Sequence, residues 1–414
     1  MKEKVLNWAQ RFNIFCFLDN HHYHIEPHTQ ECLLAAGVKR KFTATPGQAL
    51  SQLAGFMAQS KGWLFGHLGY DLKNELEPLA SSHPDRIGFP DIFLFEPEVL
   101  IRLSNHSIVI EAGQPMRIQE EIDSMEIGLP PGKTSNRSLN IQARVPHQEY
   151  LDIIHRLRQH IIRGDCYEIN YCQEFFAEDA DIDPLNVYRQ LSAVSPNPFS
   201  ALYRQEDHWL ICASPERFLK KEGTRILSQP IKGTSGRVLT DELLDAKQKE
   251  DLYNSAKDRS ENIMVVDLVR NDLAKICEEG SVKVDELYGI YSFPQVHQMM
   301  STISGELREG ISFIDVLKAT FPMGSMTGAP KKSVMQLIER YETSKRGIFS
   351  GAMGYISPNG DFDFNVVIRS IIYNSTRKYL SFPAGSGITF YSDPQKEWEE
   401  CMMKAAAIKQ VLGA

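Results

Sequence analysis

Two spacings of apolar residues alternate along the chain. Up to residue 110 the apolar runs are short (Ile14–Leu18, Trp63–Gly69, Ile92–Phe95, Val99–Leu103, Ile108–Ile110) and separated by turn residues, which predicts strands. Gly113–Asn140, with Leu129-Pro130-Pro131-Gly132 inside it, is polar and turn-rich and reads as a linker. It separates an N-terminal region, 1–140, from a main body, 145–411. Helical spacing follows at once: Tyr150, Ile154, Leu157 and Ile161 recur at three and four residues, and Gly164 stands where a glycine ends a helix. Gly164–Tyr171 then reads as a turn entering a strand. Trp209–Ala213 is a short buried strand running into Ser214-Pro215-Glu216-Arg217-Phe218-Leu219. Asp241 to Ile276 is helical with a break near Tyr253–Ser255. Gln395–Leu412 is a last helix, its apolar stripe formed by Trp398, Cys401, Ala405, Ile408 and Leu412.

Composition narrows the class. The chain has 414 residues, 42% hydrophobic and 24% charged, enough for a large core. Its formal net charge is -8 and its longest basic block is Val38-Lys39-Arg40-Lys41, which argues against nucleic acid and anionic membrane as partners. An anionic substrate would therefore need a local positive field. Charge interrupts the first residues too early for a signal peptide, and no apolar run reaches membrane length, so the expected location is cytoplasmic. Seven scattered cysteines without a C-x-x-C pair read as reduced buried thiols.

Candidate chemistry centres on Pro230-Ile231-Lys232-Gly233-Thr234-Ser235-Gly236-Arg237. Glycine lets backbone approach a ligand, and the N–H groups and hydroxyls can bind anionic oxygens. A lysine over such a site serves as a fixed cation or, deprotonated, as a nucleophile. On its own the octapeptide also reads as a turn with a solvated lysine. Glu216, at the end of a buried strand, suits general-acid work because burial raises a carboxyl pKa. Asp258 with Glu261, and Glu397 with Glu400, are i, i+3 pairs on helices; Lys404 continues the second stripe. Two such pairs suit a hard cation such as magnesium, although each alone also reads as a solvated face. Arg369 is a charge inside a strand-like apolar run and needs an anionic partner. Thr327–Lys331 opens a helix whose N–H groups could face an anion. Gly351–Tyr355 and Ala384–Gly387 are glycine-spaced strands of close approach. His297 is a lone histidine, and His21, His22, His24 and His28 read as a solvated loop.

In this order the motifs resemble the chorismate-utilising enzymes: anthranilate synthase component I, aminodeoxychorismate synthase component I, and the isochorismate and salicylate synthases. The resemblance runs from about Val145 to Val411 and includes Ser214–Phe218, Pro230–Thr234, Glu261 through Asp272, Gly328–Lys331, Gly354-Tyr355, Ile368–Ser370, Ala384–Gly387 and the acidic helix ending in Lys404. It implies an α+β fold with two large, mainly antiparallel sheets packed face to face and helices outside. It places magnesium on Glu261 and Glu400, with Asp258 and Glu397 as outer partners. It assigns Gly385, Gly387 and Lys404 to the ring carboxylate, Arg369 and Tyr355 to the enolpyruvyl carboxylate, Thr234 and His297 to the ring, and Glu216 to protonation of the departing C4 hydroxyl.

Lysine between Ile231 and Gly233 is the mark of the aminodeoxychorismate branch, where anthranilate synthases carry alanine. The resemblance thus implies that Lys232 attacks ring carbon C2 and that ammonia from a separate glutaminase subunit then attacks C4. The product would be 4-amino-4-deoxychorismate, for 4-aminobenzoate and folate synthesis. Anthranilate synthase is the alternative, followed by isochorismate synthase or a catalytically dead binding subunit. A lysine's ordinary pKa is about 10.4, so desolvation and nearby cations are expected to free the amine. Glu168 stands where water-activating relatives have lysine and amino-transferring ones usually have glutamine. Relatives that bind tryptophan do so near a short apolar-acidic motif, and Phe17–Asn20 lies in that region.

Overall fold

The computed structural model describes residues 1–23, 31–44, 47–104, 107–126 and 139–413; His24, His28 and Leu129–Gly132 lie outside them. Among the described residues two antiparallel sheets carry the architecture, one of eleven strands and one of ten. Strands expected from the short apolar runs fill both. Ile14–Asp19 joins the larger sheet beside Phe199–Gln205, and Leu64–Leu68 joins the smaller beside Ala352–Ile356. The N-terminal strands are therefore built into both sheets rather than packed as a separate body. The expected linker contains a helix, Pro115–Asp123, which buries Ile118 and Ile122.

Period-two alternation explains the layering. Cys16, Leu33, Ala35 and Leu210 of the larger sheet meet Phe65, Phe93, Phe95 and Phe364 of the smaller in one core. Alternate residues such as Phe15, Phe17 and Leu34 face the other way, where the helices His147–Ile162, Pro184–Val194 and Pro394–Leu412 cover them. The strand Glu168–Ala177 is buried along its whole length yet contains Glu168, Asn170, Gln173 and Glu174. Ile169, Tyr171 and Phe175 serve the helical layer, while Cys172 serves the core between the sheets. Placing polar side chains on a buried strand costs free energy unless they find partners or a ligand.

Helix limits follow their caps. The helix predicted over Tyr150–Ile161 spans His147–Ile162 and ends at Gly164, φ 84°. The expected break falls at Ser255, between Glu242–Asn254 and Ala256–Ala274, where the Ser255 hydroxyl accepts from Asp258 N. The last helix runs Pro394–Leu412, capped by Asp393 and by left-handed Gly413.

Two crossings between the sheets set up the site. His208–Ser214 lies in the larger sheet and Arg217–Glu222 in the smaller, so Pro215-Glu216 is the bridge. Phe362–Val366 and Ser370–Asn374 are likewise in different sheets, with Arg369 between them.

Candidate active site

Both crossings open on a cavity of about 820 Å³. The lysine loop, the helix Ala256–Ala274, the glycine strand and the last helix supply its other walls. Glu216, Lys232, Thr234, Glu261, Arg369, Gly385, Gly387, Glu400 and Lys404 all line it, residues that stand up to about 190 positions apart in sequence.

At the first crossing Glu216 is 3% exposed, its backbone N–H donating to Ser214 Oγ at 3.2 Å. Burial pushes its carboxyl up to about 7, against the opposing pull of the Ser325 hydroxyl and Lys232. It can thus hold a proton near neutrality. At the second crossing Arg369 adopts φ 52°, a left-handed conformation uncommon for a side chain of its size and one that marks functional sites. Its guanidinium makes no hydrogen bond among the described residues. Burial lowers its pKa to about 10, with Glu400 opposing. An arginine turned into a cavity without a fixed partner is suited to a carboxylate ligand.

Lys232 is 8% exposed and donates from Nζ to Glu168 Oε1 at 2.5 Å. Burial alone would lower its pKa, but Glu168, Glu261 and Glu216 outweigh that and hold it above the ordinary lysine value. This corrects the expectation of a lowered pKa: the charges nearest the amine are carboxylates. The loop is held from its far end, where Arg237 Nε donates to both oxygens of Asp245 at 2.8 and 2.9 Å. Gly233 has φ 92° and faces Asp258, whose Cβ lies 2.9 Å from where a Gly233 Cβ would sit, so glycine is required there.

Of the expected metal residues, Glu261 and Glu400 face the cavity. Glu261 Oε1 is buried without a hydrogen bond, and burial pushes its carboxyl up to about 8. Lys257 Nζ sits 3.6 Å from that oxygen and 3.3 Å from Glu397 Oε1. Glu397 is fully buried and accepts from Ser386 Oγ at 2.5 Å. Among the described residues no group of three or more His, Cys, Asp or Glu comes together as a metal cluster. A buried carboxylate oxygen without a hydrogen bond, with a second carboxylate on the cavity wall, fits a hard ion that keeps most of its sites for ligand and water. Lys404 Nζ donates to Gly385 O at 2.9 Å and pairs with Glu400 Oε1 at 2.6 Å.

Two expected ring and carboxylate contacts are not where the motifs put them. His297 points out of the cavity, its Nε2 3.2 Å from Asp245 Oδ1 and its Nδ1 2.9 Å from Ser292 Oγ. Its strand neighbour Gln298 lines the cavity, with Oε1 buried and unpartnered; one residue along a strand is the opposite face. Tyr355 lines a different cavity, of about 600 Å³, with Asp19, Asn20, Arg217 and Asp363. The aromatic residues that line the active-site cavity are Phe349 and Phe382. Lys331 likewise turns away, donating to Asp272 Oδ2 at 2.5 Å and Thr320 O at 2.9 Å. Asn170, Ser325 and Lys257 escaped the sequence reading, and nothing in their local motifs marks them.

With this geometry in place the relatives can be set beside it. Residues 15–410 match the family model for chorismate binding enzymes. The chain belongs to that family. It is similar to anthranilate synthase component 1 of Aquifex aeolicus (strain VF5), 34% identical over 370 residues, which covers 85% of this chain and 74% of the relative. It is about as similar to aminodeoxychorismate synthase component 1 of Escherichia coli (strain K12), 33% over 355 residues, 85% of this chain and 77% of the relative. The solved structure of anthranilate synthase component I from Streptococcus pneumoniae TIGR4 matches with a TM-score of 0.80 at 26% identity, over 95% of both chains. Overall similarity thus fixes the family and leaves the branch to the cavity.

Proposed function

We propose that the chain is an aminodeoxychorismate synthase component I, turning chorismate and ammonia into 4-amino-4-deoxychorismate. The observation that carries the reading is Lys232: its Nζ lies in the same cavity as Glu216, Arg369 and Lys404. Arg369 would bind the enolpyruvyl carboxylate. Lys404, with Gly385 and Gly387, would bind the ring carboxylate, and Thr234 and Gln298 would flank the ring. Glu261 and Glu400 would hold magnesium, which would neutralise the ring carboxylate and draw electron density from the diene. Lys232 then attacks C2 as the C4–O bond breaks, with Glu216 giving its proton to the departing hydroxyl. Ammonia attacks C4 and expels the lysine. All seven cysteines are buried, and the thiols of all seven are pushed up mainly by burial. That supports ammonia coming from a separate glutaminase subunit, since a nucleophilic cysteine needs an accessible thiolate. No described helix is long and apolar enough to cross a membrane. The product would feed 4-aminobenzoate and folate synthesis in the cytoplasm.

A second reading has one observation behind it. The resting Lys232–Glu168 ion pair makes the lysine a cation, and a permanently charged lysine would leave ammonia to attack C2 directly, as an anthranilate synthase requires. Incubating the purified chain with chorismate, magnesium and excess ammonium at mildly alkaline pH separates the two. Mass spectrometry should find 4-amino-4-deoxychorismate without pyruvate. Anthranilate with pyruvate would establish the second reading, isochorismate would indicate water as nucleophile, and unchanged chorismate would indicate a binding subunit.

A further inference from the structure

The chemistry above leaves Glu168 unused, yet Glu168 holds the reacting nitrogen. It opens the strand Glu168–Ala177 and is 1% exposed. Its Oε1 accepts from Lys232 Nζ at 2.5 Å, and its Oε2 is buried with no hydrogen-bond partner. The neighbouring strand closes over this contact: a Cβ on Gly387 would lie 2.7 Å from both Glu168 Oε1 and Lys232 Nζ. Gly328, paired with Ile169, fixes the strand from its other side, where a Cβ would lie 2.0 Å from Glu168 O. The strands that carry Glu168, Lys232 and Gly387 thus converge on one N–O contact.

We propose that Glu168 is the proton acceptor that frees the Lys232 amine for attack; this rests on the reading of Lys232 as nucleophile. Other charged groups face the amine: Glu216 from the first crossing, Glu261 from the helix that also carries Lys257 and Asp258, Arg369 from the second crossing, and Glu400 with Lys404 from the last helix. Among the described residues only Glu168 hydrogen-bonds Nζ. Glu216 cannot serve, because it must arrive protonated to release the C4 hydroxyl. A buried ion pair is costly once water leaves, and moving one proton across 2.5 Å turns it into an uncharged amine and acid.

The steps balance. The ammonium of Lys232 gives a proton to the carboxylate of Glu168. The amine forms the N–C2 bond, both ring double bonds shift, and the C4–O bond breaks with the Glu216 proton leaving in water. The adduct nitrogen is now cationic and a good leaving group. Ammonia forms the C4–N bond as the C2–N bond breaks. The released amine recovers its proton from Glu168, and the new C4 ammonium returns one to Glu216.

Glu168→Gln tests this, being isosteric and keeping a hydrogen-bond acceptor for Nζ. Adduct formation would be followed by quenched-flow intact mass on the full chain with chorismate and magnesium, without ammonia. General-base removal costs about 10²-fold near neutrality. The deficit relative to the unsubstituted chain should narrow about tenfold per pH unit as hydroxide replaces Glu168. A Glu168→Gln variant with an unchanged rate overturns the inference but leaves the nucleophile reading standing. So does a slower variant whose deficit is the same at every pH, since that marks a structural role. Absence of adduct in the unsubstituted chain removes the nucleophile reading itself, and the inference with it.

Discussion

Two buried cation–carboxylate pairs brace the strand Glu168–Ala177, and they differ in one respect. Arg346 donates to both oxygens of Glu342 at 2.8 and 2.5 Å, and also to Met326 O and Asn170 O. Glu342 Oε1 accepts in addition from Cys172 N at 2.9 Å. That pair is satisfied by its own chain. Lys232 and Glu168 share one hydrogen bond, and Glu168 Oε2 has none. Both pairs are costly to bury, but only the satisfied one is tied on every side into structure. The unsatisfied one opens on the cavity, where in the proposed reaction a ligand and a moving proton would complete it. Buried oxygens without a hydrogen bond at Glu261 and Gln298 in the same cavity repeat the pattern.

Substitutions should separate the pairs. Lys232→Ala is expected to cost at least about 10³-fold in C4 amination, since losing a covalent nucleophile costs up to about 10⁶; product analysis checks it, and residual product should shift towards C2 amination. Glu342→Ala should act on stability instead, by about 3–5 kcal/mol in urea titration, because Arg346 is left charged and buried. Glu216→Gln should slow adduct formation about 10²-fold. With its carboxyl near 7, Glu216 is protonated below that pH and loses its proton above it, so the unsubstituted rate should fall as pH rises through about 7. The glutamine variant should lack that limb in a stopped-flow pH series. The smallest effects should divide a strand by parity. Gln298→Leu should raise the chorismate KM several-fold by leaving a polar ligand atom unpaired, while His297→Ala should leave KM unchanged and cost about 1 kcal/mol of stability through its lost contacts to Asp245 and Ser292.

What could be read in advance followed the same division. Lys232, Glu216, Glu261 and the glycine strand sit in local motifs whose residue types the chemistry demands, and all four reach the cavity. Strands were legible from the short alternating runs, and the two-sheet α+β fold from the resemblance. Parity was not: His297 and Gln298 are adjacent polar residues, and only the register Thr234↔Gln298 shows which one faces in. Tyr355 was misplaced because its strand lines the second cavity and none of its residues lines the first, and Phe349 lacks the polar tip that draws attention. Arg369 read as a strand residue, whereas it is a left-handed crossing between sheets, a feature that no apolar period encodes. Charge was misjudged at Lys232 because its neighbours come from distant segments, and Glu168 lies 64 positions away.

The central claim is that Lys232 becomes covalently bound to substrate. Intact-mass and peptide mass spectrometry of the full chain, incubated with chorismate and magnesium but no ammonia, tests it most directly. The account predicts an added mass of chorismate less one water, confined to the peptide containing Lys232 and discharged by ammonium as 4-amino-4-deoxychorismate. Formation of that product with Lys232 never modified would contradict it.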